Sequence, residues 1–217
     1  CVPHLKCLMD FWFYKHKKAE REFQQLAARE NTCSSLSGET DYFITDIEFE
    51  DARLGARFDM LAVKWIAEAA SRKSGKNCVP AIIEMKYGTD AFKGKAGLEK
   101  HAEDVSSLLL SREKYEELLD IMEKQFRQLD ELGLVEYNKG VSNARMTLDR
   151  TVKPEFIFLF ANHNERSGKL KEILKSEDFK KYIHSDVFDL KFFTASSAGY
   201  GMYKDKMLGS EEYFAQL

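Results

Sequence analysis

The sequence predicts an α/β domain, a mixed central sheet flanked by helices. Three observations lead there. Segments of helical and of strand-length apolar pattern follow one another as helix, three strands, helix, strand, helix, strand. Residues 156–161 (FIFLFA) form an unbroken apolar run, the mark of a central strand covered on both faces. Hydrophobic residues make up 44% of the 217, with sixteen Phe among them, enough for one sizeable core.

The elements follow in order. Residues 5–29 contain no Gly or Pro, and Trp12, Ala19, Phe23 and Leu26 fall on one helical stripe. Glu22 flanks that stripe and Glu20 lies well off it. Lys15, Lys17 and Lys18 read as a solvated basic face. Residues 31–40 (NTCSSLSGET) have loop composition. Residues 42–50 alternate, with Phe43, Ile47 and Phe49 on one side and Asp46, Glu48 and Glu50 on the other, which predicts a half-exposed strand. A turn over 51–55 leads to a second strand at 58–65, and a third spans 79–87. Short connections make an antiparallel meander the simplest arrangement.

Residues 88–97 form a loop rich in Gly and Lys. Leu98, Ala102, Val105 and Leu109 then mark a helix, continued by Tyr115, Leu119, Met122, Phe126 and Leu129 as far as Gly133, a fitting residue just past a helix end. Ser111 is a candidate break between the two. Residues 137–153 show no period and read as a loop. Residues 167–183 are helical in two pieces, with Ser176 placed to cap the second. A last strand covers 187–193. The tail, 196–217, shows no clear pattern. One domain is expected, with its core over about 5–195.

Composition excludes several functions. The net charge of −3 argues against coating nucleic acid through bulk charge, though not against a local grip. No run approaches the roughly 20 apolar residues of a membrane span, and no signal peptide is visible. Cys1, Cys7, Cys33 and Cys78 show no CxxC spacing and read as reduced thiols of a cytoplasmic protein. A start at Cys1 leaves a missing N-terminal partner domain open, and a homodimer is equally open. The five histidines show no HExxH pattern. GTDAFKGKA is not a phosphate-binding P-loop, because five residues separate Gly88 from Gly94 and Ala96 stands where Ser or Thr is needed. No serine nucleophile elbow is present.

Charge inside apolar strands is the informative feature. Asp59 lies in the second strand, and Glu84 and Lys86 lie in the third. Acids are disfavoured in such runs. Residues two apart on a strand share a face, so Glu84 and Lys86 project together. If the strands pair, Asp59 comes alongside. Two carboxylates and an ammonium can hold a divalent cation and steer a water at a phosphate. The bland alternatives are that Asp59 caps the preceding turn and that Glu84–Lys86 is an exposed pair on an edge strand.

Phe58-Asp59 followed by Glu84-Met85-Lys86, on consecutive strands after a helix, resembles the PD-(D/E)XK phosphodiesterase superfamily of restriction enzymes and repair nucleases. Element order over about 5–195 is similar to its restriction-endonuclease-like αβββαβ core. Phe58 replaces the Pro of the family's name. The resemblance implies a nuclease with Mg²⁺ or Mn²⁺ held by Asp59 and Glu84, a catalytic Lys86, and nucleic acid as partner, DNA first. It also implies a further acid from the first helix, for which Glu22 is the best match and Glu20 the fallback, and a polar residue from the helix after the third strand, for which Lys100, His101 or Asp104 qualify. Lys93, Lys95 and Lys100 would then hold flanking phosphates, and His101 would be auxiliary. The alternative is a nuclease-like fold kept as a binding module without turnover.

Overall fold

The computed structural model describes residues 8–9, 11–12, 14–16, 19–88, 92–94, 97–137, 145–164 and 167–216. Residues 8–9, 11–12 and 14–16 are helical and exposed, and α1 (Ala19–Thr32) follows. Next come β1 (Tyr42–Asp51), β2 (Ala56–Lys64), a short α2 (Ala69–Ser74) and β3 (Val79–Tyr87). Two helices, α3 (Leu98–Leu110) and α4 (Arg112–Glu131), break at Ser111, as its position in the sequence suggests. Then follow β4 (Glu155–Ala161), α5 (Gly168–Leu174), α6 (Glu177–Ile183) and β5 (Asp189–Thr194). The tail forms α7 (Ala195–Ala198), a 3₁₀ turn (Lys204–Lys206), β6 (Leu208–Gly209) and α8 (Ser210–Gln216).

The architecture is α/β, one open six-stranded mixed sheet in the order β1-β2-β3-β4-β5-β6. The first three strands form the expected antiparallel meander. β3, β4 and β5 run parallel, and β6 returns antiparallel. All seven residues of β4 are buried, as the FIFLFA run requires of a central strand.

Two apolar layers cover the sheet. One face packs on α3 to α6 through Ile82, Phe156, Phe158, Leu98, Ala102, Val105, Met122, Phe126 and Phe179. The other packs on α1 and the tail through Met60, Ile83, Met85, Ala27, Met202 and Met207. Ser176 caps α6 as expected, its side chain accepting from the Phe179 N–H. The capping acid of the β1–β2 turn is Asp51, which accepts from the Arg53 and Leu54 N–H groups, so Asp59 is left for another role.

The β1–β2 ribbon departs from regular alternation. Residues two apart on a strand normally share a face. Here Ile47 packs in the α1 layer and Phe49 in the opposite one; across the ladder, Met60 and Phe58 divide in the same way. The reversal falls at Glu48, whose φ of 55° is left-handed and rare for a non-glycine residue, and at Asp59 opposite it. A register shift between Ile44 and Asp46 adds to the bend. The expectation that Phe43, Ile47 and Phe49 share one face therefore fails at Ile47.

Candidate active site

Pairing of β2 with β3 begins at Met60↔Ile83 and runs on through Lys64↔Val79. On the other side of Met60 the strands part. The Met85 N–H, which would meet a backbone carbonyl if the ladder continued, donates to Asp59 Oδ2 at 2.8 Å. The Asp59 side chain thus fills the gap between the separating strands. The alternation break described above is what turns it there.

Glu84 and Lys86 stand beside that gap. They share a face of β3 with Ile82, and so point into the α3–α6 layer. They are only 4% and 3% exposed, and Lys86 Nζ donates to Glu84 Oε1 at 2.8 Å. β3 lies inside the sheet, so the pair is not the exposed edge pair of the bland alternative. His101, one turn into α3, brings Nε2 to 2.9 Å from the same Oε1, although its N–H is not aligned for a good hydrogen bond. Both contacts therefore fall on Oε1 of Glu84.

The first helix also contributes an acid, and it is Glu20. Glu20 is half-buried in the electrostatic field of Lys86, Glu84, Glu48 and His101. Glu22 is exposed two residues further on, so the fallback position is the one that faces the cluster. The stripe of α1 that meets the sheet runs through Glu20, Gln24, Ala27 and Asn31. Polar residues at buried positions disguise that stripe in the sequence. Glu48, on the exposed side of β1 that the alternation predicts, also lies within electrostatic reach of Glu20.

The electrostatics separate the acids. Burial, and then the neighbouring Glu84 charge, push Asp59 up to about 8, with Lys86 and the Met85 N–H only partly offsetting them. Burial also raises Glu20, against the pull of Lys86. For Glu84, burial alone would raise the value; contacts with His101 and Lys86 outweigh it and hold Glu84 below the ordinary carboxylate range. At neutral pH an ionised Glu84 stands beside an Asp59 that keeps its proton, and Glu20 is held above the ordinary carboxylate range. Perturbed pairs of this kind cluster at functional sites.

Among the described residues, no three carboxylate, imidazole or thiol groups already converge as a finished cation site. The side chains are engaged with one another instead, through Lys86 and His101 on Glu84 and Met85 N–H on Asp59.

The expected phosphate-holding lysines are placed differently. Lys93 and Lys100 line a cleft of about 380 Å³ with Glu99, Glu103, Glu172 and Asp178. Lys100 pairs with Asp104 at 2.8 Å and Glu103 at 3.1 Å, and Lys93 reaches Glu172 at 3.7 Å. Among the described residues, acids outnumber lysines in that lining, and these form no basic track. Lys95 lies outside the described residues, as do Cys1 and Cys7.

No protein-family model matches the chain, and no curated protein or solved structure is detectably similar to it.

Proposed function

We propose that this chain is a divalent-cation-dependent phosphodiesterase of the PD-(D/E)XK type, hydrolysing nucleic acid, with DNA as the first substrate to test. The observation that carries the proposal is the meeting of Asp59, Glu84 and Lys86 where β2 and β3 part. The strand order from α1 to β4 agrees with an αβββαβ core of the restriction-endonuclease-like kind.

The donor set suits Mg²⁺ or Mn²⁺. Asp59, Glu84 and Glu20 offer hard carboxylate oxygens in small number, as Mg²⁺ prefers, and Glu84 is already ionised. When bound, the cation would supply Lewis acidity and a more acidic water. The chain's own groups have separate tasks. Asp59 and Glu84 hold the cation, and Glu20 adds charge from the opposite layer. Lys86, fixed by Glu84, orients the attacking water and offsets charge gathering on the phosphate. His101 keeps Glu84 ionised and sets its rotamer.

Purified protein incubated with single- and double-stranded DNA and RNA, in Mg²⁺ or Mn²⁺, is the direct test. Cleavage lost in Asp59→Ala and in Lys86→Ala supports the proposal. Equal cleavage by wild type and both variants rejects the site. A second reading, a nuclease-like module without turnover, draws on one observation: Glu84 and Lys86 already satisfy each other in a dry environment. Calorimetry separates the two. Nucleic-acid binding with no measurable divalent-cation binding favours the module.

A further inference from the structure

α1 buries two side-chain amides, and they are treated in opposite ways. Asn31 is fully buried and fully used. Its Nδ2 donates to the carbonyls of Ala27 and Tyr200, and its Oδ1 accepts from the Met202 N–H. Gln24 is 1% exposed, yet neither its Oε1 nor its Nε2 meets a hydrogen-bond partner among the described residues. A sealed amide with both ends unmet is rare in folded proteins, because water lost on burial is normally replaced. An apolar side chain of the same length would avoid that cost.

Position suggests what the amide is for. Gln24 lies four residues after Glu20, so the two side chains sit one above the other on the same helix face. That face packs across β1 and β3, the strands on either side of β2 and its Asp59. The carboxamide oxygen of a group at this spot can accept from a water molecule held by a cation, which must donate its protons and is itself immobilised.

We propose that Gln24 is a positioning residue of the candidate metal centre, its carboxamide holding water in the hydration shell of a divalent cation beside Glu20 and Asp59. This inference rests on the proposed function and adds a residue that no motif supplied. α1 then contributes two groups at consecutive turns, one charged and one neutral.

Three proteins are compared: wild type, Gln24→Met and Gln24→Glu. Each is melted with and without MgCl₂ and MnCl₂, and cation binding is measured by titration calorimetry. Without cation, Gln24→Met is expected to melt at or up to about 4 °C above wild type, since an unmet amide is gone. Its cation affinity is expected to fall about tenfold or more, the usual effect of losing a group that holds a ligand's partner. Gln24→Glu, which keeps an acceptor, is expected to recover most of that affinity. A Gln24→Met protein that melts several degrees low and binds cation within twofold of wild type overturns the inference, because the amide then serves only a structural water. If wild type itself binds no cation, the metal centre fails and Gln24's role with it, an outcome distinct from the first.

Discussion

The backbone N–H of Met85 donates to the carboxylate of Asp59, a side chain taking the place of a strand. The sheet would otherwise leave that N–H unmet at the fork between β2 and β3. Asp59 is therefore both a structural plug and a chemical group. Its proton makes the two roles measurable.

Asp59 takes up a proton on folding. Its value lies near 4 in the unfolded chain and is pushed up to about 8 in the fold. Between those limits the native state binds the proton and the unfolded state does not. Stability without cation therefore falls as pH rises from about 4 to about 8, and levels off above. Asp59→Asn keeps an oxygen for Met85 and removes the titration. Melts from pH 4 to 8.5 should show the variant a few degrees above wild type at pH 8, and the two converging near pH 4.

Cation binding must displace that same proton. Affinity for Mg²⁺ or Mn²⁺ should tighten as pH approaches about 8, and binding at pH 7 should release close to one proton. Calorimetry in two buffers of different ionisation enthalpy measures the release. Asp59→Asn should release essentially none, with weaker binding.

Removing Lys86 strands a buried charge. Lys86→Met leaves Glu84 ionised in an apolar layer with His101 alone, and should cost about 3–5 kcal/mol in denaturant unfolding. Adding Glu84→Gln should return part of that loss, so the double variant falls short of the sum of the singles. Cleavage by any folded Lys86→Met protein should drop at least about 100-fold.

A control sits at the other end of β3. Glu155, paired with Ala81 at the start of β4, is buried and accepts from the Tyr42 hydroxyl and from Lys64 Nζ. Glu155→Gln should cost about 1–3 kcal/mol through the weakened contact with Lys64. Cation affinity at the distant site should not change, as paired melts and titrations will show.

How much of this was legible in the sequence depended on periodicity. The sheet's strands announced themselves because Ile82, Phe156 and their neighbours are apolar in runs of strand length. Asp59, Glu84 and Lys86 stood out for the converse reason, as charges where apolar residues belong. The sequence favours Glu22 over Glu20 because Ala19, Phe23 and Leu26 trace one apolar stripe. The buried stripe instead carries Gln24 and Asn31, whose polarity hides it. Ile47 faces away from Phe43 and Phe49 because the register shift between Ile44 and Asp46 and the left-handed Glu48 each break the two-residue rhythm, and nothing in the residue types signals either. The tail was opaque because its short elements are tied down by distant side chains such as Asn31 and Asp41, not by their own pattern.

The bond between Asn31 and the backbone at Tyr200 and Met202 has a consequence beyond anchoring the tail. It fixes the roll of α1 about its own axis, and a helix that cannot roll cannot swing its first turn. A shortened chain ending before residue 200 would keep every charged group of the site and still lose the aim of Glu20.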